Sequence, residues 1–241
     1  MLSVSAVVPT YNERENIVIL ARQIHEALAG REHEILVVDD RSPDGTGEAV
    51  EALAKDIPGL SLVTKERREG IGAALRYGYD RARCDVLVSM DADLSFSTRD
   101  ITLLIERIEA GYDLVLGCRH TKGGEYETPT WKVKLKYLIS RLGNLVVGWM
   151  TGLHIHDFSA NFRAIRRGVW RDIQTQENTN SLLLEMILKV NHCGYKIAEV
   201  PVAFADRLHG ESKLNLAVEA PKFLAKLVYY TLKFRVAGAR R

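Results

Sequence analysis

Val86-Leu87-Val88-Ser89-Met90-Asp91-Ala92-Asp93-Leu94-Ser95 is an apolar run of strand length that closes on two carboxylates, one residue apart. A buried strand does not stop on two like charges unless water or a cation meets them. In an open α/β sheet the C-terminal strand ends form the ligand crevice. A hard divalent cation carrying a substrate phosphate fits such a place, since these ions take oxygen ligands and keep open positions. A solvated strand end fits as well. What the rest of the chain brings to the same edge decides between the two.

Upstream, residues 3–8 form a β-rich run broken by Pro9-Thr10-Tyr11-Asn12. A helix is predicted over 13–29, with Asn12 and Glu15 spaced as a capping box. Residues 34–39 read as a second strand that also ends on carboxylates, Asp39 and Asp40. Ser42-Pro43-Asp44-Gly45-Thr46-Gly47 is turn chemistry ahead of a short helix, with Asp44 as a cap. Residues 60–64 give a third strand, and 70–83 a helix entered through a glycine-rich turn. Downstream, Ser97 is placed to cap a helix ending near residue 110, and 113–117 is a fifth strand ending near Arg119. Strand and helix alternate five times with short connections. That pattern predicts an α/β fold, a Rossmann-like, mostly parallel sheet flanked by helices.

Beyond Arg119 the pattern loosens. Residues 121–130 read as a polar loop, 132–153 as an amphipathic helix, 162–165 as a short strand, 181–191 as a helix and 196–204 as a strand. Residues 214–236 read as one or two helices broken near Pro221. No repeat or linker divides the chain. One domain is expected, with a main body over 1–213 and an amphipathic C-terminal segment over 214–241 that belongs to it.

The 241 residues are 46% hydrophobic and 27% charged, enough for a sizeable core. A net charge of +2 is too balanced to imply nucleic acid. Cys84, Cys118 and Cys193 form neither a disulfide framework nor a zinc spacing. No signal peptide is expected, and no stretch reaches the roughly 18 apolar residues of a spanning helix. A reduced, cytoplasmic setting is the expectation.

Other stretches carry weaker signals. Gly70-Ile71-Gly72 after Glu66-Arg67-Arg68-Glu69 could favour an anion at a helix start, but a solvated charged turn is the preferred reading. There is no Walker A motif and no full dinucleotide fingerprint after the first strand, which argues against an ATPase and a dehydrogenase. Arg207-Leu208-His209-Gly210-Glu211-Ser212-Lys213 pairs a guanidinium fork with a point charge, a combination suited to phosphate, and an ordinary basic surface loop explains it equally. His154 and His156 before Asp157 read as polar packing in preference to a metal site.

Four stretches occur in order: Val7-Val8-Pro9-Thr10-Tyr11-Asn12-Glu13-Arg14-Glu15-Asn16-Ile17, Val38-Asp39-Asp40-Arg41-Ser42-Pro43-Asp44-Gly45-Thr46, Met90 to Ser95, and Arg207 to Lys213. Together they strongly resemble the family 2 glycosyltransferases, most closely the dolichyl-phosphate mannose synthases, over nearly the whole chain. The resemblance implies the GT-A fold and transfer of a hexose, with inversion, from a nucleotide sugar to a polyprenyl phosphate. Its leading form is mannose from GDP-mannose to dolichyl phosphate. The alternatives are a UDP-glucose-dependent dolichyl- or polyprenyl-phosphate glucosyltransferase and a non-catalytic nucleotide-sugar-binding subunit.

The resemblance also implies roles. Pro9, Tyr11, Glu13, Val38 and Asp40 would hold the nucleoside; Asp91, Asp93 and the Ala92 backbone would meet the diphosphate through Mg2+ or Mn2+. Arg207 and Lys213 would close on the donor phosphates, and Arg119 with Lys136 would meet the acceptor phosphate. Three departures stand out. Ser95 replaces a longer metal ligand, Ala160 takes a glycine position in Asp157-Phe158-Ser159-Ala160-Asn161-Phe162-Arg163, and the second acceptor cation is Lys where relatives have Arg. A lipid acceptor implies peripheral docking on a membrane surface through the apolar sides of the 132–153 and 214–236 helices. A small membrane-anchoring subunit is a compatible partner.

Overall fold

The computed structural model describes residues 1–120, 131–205 and 216–238, except the side chains of 131–136, 216–222 and 235–238. Among them, seven strands form one sheet: β1 (Val4–Thr10), β2 (His33–Asp39), β3 (Leu60–Thr64), β4 (Val86–Ser89), β5 (Leu114–Cys118), β6 (Arg163–Arg166) and β7 (Ile197–Pro201). Their order is β3-β2-β1-β4-β6-β5-β7. β1 to β4 pair parallel, as do β5 and β7, while β6 runs antiparallel between β4 and β5. The expected mostly parallel sheet is therefore present, with one reversed strand at its centre.

The helices are α1 (Arg14–Ala27), α2 (Thr46–Leu53), α3 (Ile71–Arg81), α4 (Ile101–Glu109), α5 (Trp131–Thr151), α6 (Arg167–Ile173), α7 (Ser181–His192) and α8 (Leu216–Gly238). They cover both sheet faces, which is why the strands read as continuous apolar runs. In β1, Val4, Ala6 and Val8 point into the core shared with α1 and α4, while Val7 points to the core shared with α3 and α7. Ile35 and Val37 against Leu36 and Val38 repeat the alternation in β2.

Local expectations needed correction at helix starts. Asn12 does not cap α1; it lies in the left-handed region at φ 56°, and Glu13 takes the cap position without a side-chain bond. The backbone N–H groups there are met from the loop after β2. Asn12 donates to Ser42 Oγ (2.9 Å), Glu13 to Thr46 Oγ1 (3.0 Å) and Arg14 to Asp44 Oδ2 (3.2 Å). The Ser97 side chain caps nothing; residues Thr98–Asp100 form a 3-10 turn, and Asp100 accepts the Ala203 N–H (2.9 Å). α8 runs unbroken through Pro221, α6 was unforeseen because it follows β6 without a turn, and β7 stops at Pro201.

The apolar stripe of α5 faces out. Leu138, Ile139, Leu142, Leu145 and Val146 are exposed, while Asn144 and Val147 turn inward. On α8, Leu227 and Tyr230 are buried, and Leu224, Val228, Tyr229 and Leu232 are exposed.

Candidate active site

From β1 the chain moves one way to β2 and β3, then crosses back to place β4 on the other side of β1. This reversal is the switch point at which open sheets form a crevice. The residues after β1, β2 and β4 meet there, so Tyr11, Asp39, Asp40, Asp91 and Asp93 share one edge.

On the β2 side the two aspartates do different work. Asp39 organises the turn, accepting from Ser42 N (2.8 Å), Ser42 Oγ (2.5 Å) and Thr10 Oγ1 (3.1 Å). Asp40 is buried with its carboxylate 3.3 Å from Lys65 Nζ, itself buried. Burial pushes the Asp40 carboxyl above the usual range, and Lys65 opposes that rise. Lys65 Nζ also lies 3.4 Å from Glu69 Oε2, so one buried ammonium is shared between two carboxylates. Arg68 stacks 3.8 Å over the Tyr11 ring. Lys65 and Arg68 were missed in the sequence, although Arg68 lay in the charged turn noted there. Val38 is fully buried beneath, and Glu13 Oε2 accepts from Asn16 Nδ2 (2.8 Å).

On the β4 side, Asp91 Oδ1 accepts from Asn161 Nδ2 at 3.0 Å. Asp93 is buried and its Oδ1 accepts the Ser95 N–H at 3.1 Å, with Leu94 left-handed at φ 61° between them. Ser95 O accepts from Ala205 N (2.9 Å), and Phe96 bridges to Phe204. Arg207 and Lys213 lie outside the described residues, as does the side chain of Lys136.

Arg119 follows β5. Its Nε and Nη2 donate to the two oxygens of Asp157 (2.7 and 3.0 Å), and Nη2 also reaches Ser159 Oγ (2.8 Å). Asp157 is fully buried and also accepts the Ser159 and Ala160 N–H groups. Burial would raise its carboxyl, but the Arg119 charge and hydrogen bonds outweigh that and hold it below the carboxylate range. The clamp fixes the plane of the guanidinium. Arg163, equally buried, donates to the carbonyls of Ala160 and Leu183, and burial brings its pKa down to about 10.

The glycines of the α3 start serve packing. A side chain at Gly72 would meet Thr179 O at 2.4 Å, and the Ala73 N–H already donates to Asn178 O. The anion reading of that turn is therefore dropped. His156 pairs with Glu199 (2.8 Å), in keeping with polar packing. A cavity of about 740 Å³ lined by Ile19, Gln23, Leu94, Ser95, Phe204 and Ala205 opens beside the acidic edge, not within it.

Among the described residues no three His, Cys, Asp or Glu side chains gather as a metal cage. A hard cation held by two carboxylates, substrate phosphates and water needs no such cage. The oxygen donors of Asp91 and Asp93 fit that kind of site.

Residues 5–173 match the family described as "Glycosyl transferase family 2". The chain is 38% identical over 217 residues to a dolichol-phosphate mannosyltransferase of Pyrococcus furiosus, covering 89% of this chain and 60% of that protein. It is 33% identical to a polyprenol monophosphomannose synthase of Mycolicibacterium smegmatis, covering 87% and 80%. Among solved structures, a glucosyl-3-phosphoglycerate synthase from Mycobacterium tuberculosis with Mn2+, UDP and phosphoglyceric acid superposes with TM-score 0.75 at 18% identity, covering 95% and 78%. Other complexes of that enzyme hold UDP-glucose or Mg2+. At that identity the likeness speaks for the fold, which is GT-A-like, a mixed sheet flanked by helices.

These structures correct the narrower expectation. One fold, shared over 95% of this chain, houses UDP, UDP-glucose and phosphoglyceric acid. The sequence motifs therefore do not single out GDP-mannose and dolichyl phosphate as partners, and closest kinship to the dolichyl-phosphate mannose synthases is withdrawn with them. The physical reason is that motifs common to a whole family do not report base, sugar and acceptor, which a few contacts around them would select.

Proposed function

The chain belongs to glycosyl transferase family 2, and we propose that it transfers a hexose, with inversion, from a nucleoside diphosphate sugar to an acceptor that presents a phosphate. UDP-glucose is the donor placed first, in line with the complexes of the shared fold. One observation carries the reading: the β1/β4 switch gathers Tyr11, the Asp40–Lys65 pair and Asp91 with Asp93 on one edge, and Arg119 stands at the end of β5.

In this reading Tyr11, backed by Arg68, offers a stacking face to the base, and Asp40 with Lys65 offers an acceptor and a donor. Pro9, Glu13 and Val38 frame the nucleoside. Asp91, Asp93 and Ser95 would hold Mg2+ or Mn2+. When bound, that ion supplies Lewis-acid stabilisation of the departing diphosphate. Arg207 and Lys213 would close on the donor phosphates. Arg119, its plane fixed by Asp157, would meet the acceptor phosphate as a pre-oriented donor that loses little side-chain freedom on binding, and Lys136 would supply the second acceptor cation. A phosphate monoester with a second pKa of about 6 is anionic at neutral pH and attacks without a general base.

The test is turnover. Purified protein is given UDP-glucose or other sugar nucleotides, Mn2+ and a panel of phosphate-bearing acceptors, and nucleoside diphosphate release is followed. Release that needs both acceptor and cation supports transfer. Donor binding without release from any donor would leave the non-catalytic subunit instead.

A second proposal concerns location. Among the described residues no helix is long and apolar enough to cross a membrane. Trp149 (83% exposed), Leu145 and Leu142 on α5, with Tyr229 and Leu232 on α8, offer aromatic and apolar side chains beside Arg141 and Lys233, a mixture suited to lying at an interface. Flotation with anionic vesicles should carry the protein upward and fail for Trp149→Glu; wild-type protein that stays in the soluble fraction would refute docking.

A further inference from the structure

We infer that Asn161 is a positioning residue for Asp91, fixing the direction of that carboxylate before a cation arrives, with Ser89 fixing Asn161 in turn. The inference rests on the reading that Asp91 holds the cation. Its origin is the reversed strand. β6 pairs antiparallel with β4, Ser89 opposite Arg163, and the same register carried two residues further sets Asn161 across from Asp91. A parallel strand in that place would have brought its N-terminal side to the far end of the sheet.

The contacts are specific to one orientation of the amide. Asn161 Oδ1 lies 3.0 Å from Ser89 Oγ, and the same hydroxyl is 2.8 Å from the Asn161 backbone carbonyl. An ionised carboxylate oxygen only accepts, so the amide atom 3.0 Å from Asp91 Oδ1 is Nδ2, and Oδ1 is left facing the Ser89 hydroxyl. Ser89 is fully buried and Asn161 nearly so, so water does not readily replace either partner.

The choice of a neutral donor matters. A lysine or arginine at 161 would orient Asp91 equally well but would compete with a divalent cation for its charge. The amide orients the carboxylate without adding a positive charge of its own. Arg163, fully buried nearby in the chain, donates to the carbonyls of Ala160 and Leu183. Partners that orient a metal ligand typically change metal affinity by about 10–100-fold when removed.

The experiment is a Mn2+ titration, in the presence of UDP, of wild-type protein, Asn161→Leu, Ser89→Ala and Asp91→Ala, with free Mn2+ read by electron paramagnetic resonance and unfolding followed in parallel. Asn161→Leu keeps the volume and removes the donor. It should weaken Mn2+ by about 10-fold or more, and Ser89→Ala should weaken it less, in the same direction. In turnover, the Mn2+ concentration for half-activity should rise while kcat at saturating Mn2+ holds. A purely structural role would lower the unfolding temperature and leave Mn2+ affinity alone. Unchanged affinity in Asn161→Leu, with affinity lost in Asp91→Ala, overturns the inference and leaves the metal reading standing. Unchanged affinity in Asp91→Ala overturns the metal reading itself, and the inference with it. Should Asn161→Leu fail to fold, Ser89→Ala decides by the same criterion.

Discussion

Two strands end on paired aspartates, and the fold treats the pairs in opposite ways. After β2, Asp39 is consumed by its own turn and Asp40 is sunk against Lys65. After β4, Asp91 is oriented by the Asn161 amide and Asp93 by the Ser95 N–H. An acid at a strand end is thus not a site by itself. Asp39 spends both oxygens on its own turn, Asp40 faces a buried ammonium, and Asp91 is oriented by an amide that adds no positive charge of its own against an incoming ion.

The strongest break of this comparison is Asp91→Ala. Transfer should fall by about 10³-fold or more, since a Lewis acid is worth several kcal/mol to such a transition state, while the fold persists by circular dichroism. Activity retained within a few-fold would erase the difference between the two ends.

Asp157→Asn sharpens it, because Asp157 is an acid whose partner is fully charged. Removing one side of the buried Arg119 pair should cost about 3–5 kcal/mol at neutral pH, read by denaturant unfolding. The sign with pH follows from its depressed pKa. The stabilisation is complete above the unfolded-state value of about 3.9 and disappears as pH falls through the lower folded value. The gap between wild type and Asp157→Asn should therefore narrow below about pH 4; a gap independent of pH would count against the ion pair.

Much of this was legible in the strands. Apolar runs closing on Asp39-Asp40 and Asp91-Ala92-Asp93 showed both the sheet and its edge, because a strand's period and its terminal charges are local properties. The groups that set the two aspartate pairs apart were not. Lys65 reaches Asp40 from the far end of β3, Asn161 reaches Asp91 only through the reversed β6, and Asp157 lies 38 positions from Arg119. Helix starts failed for the same reason: α1 is capped by Ser42, Asp44 and Thr46 from another loop, not by Asn12. Contacts set by strand order leave no periodic mark in the chain.

A smaller effect separates the members of the first pair. Asp39→Ala should cost about 1–3 kcal/mol through the stranded Ser42 N–H, with Mn2+ affinity unchanged. Smallest in stability but visible in binding, Lys65→Met should weaken UDP by up to about tenfold, the worth of one charge-assisted contact. It should also shift the pH at which UDP affinity changes upward, because Lys65 opposes the burial that raises Asp40. Calorimetric titration of UDP between pH 4 and 8 reads both; an unshifted profile would place Asp40 outside the nucleoside site.

The central claim is that the acids after β4, and not those after β2, hold the divalent cation. Water-proton relaxation enhancement of Mn2+ with UDP, compared for Asp91→Ala and Asp39→Ala, tests it most directly. Enhancement should vanish in Asp91→Ala and persist at wild-type affinity in Asp39→Ala. Enhancement that survives in Asp91→Ala, or is lost in a folded Asp39→Ala, would contradict the claim.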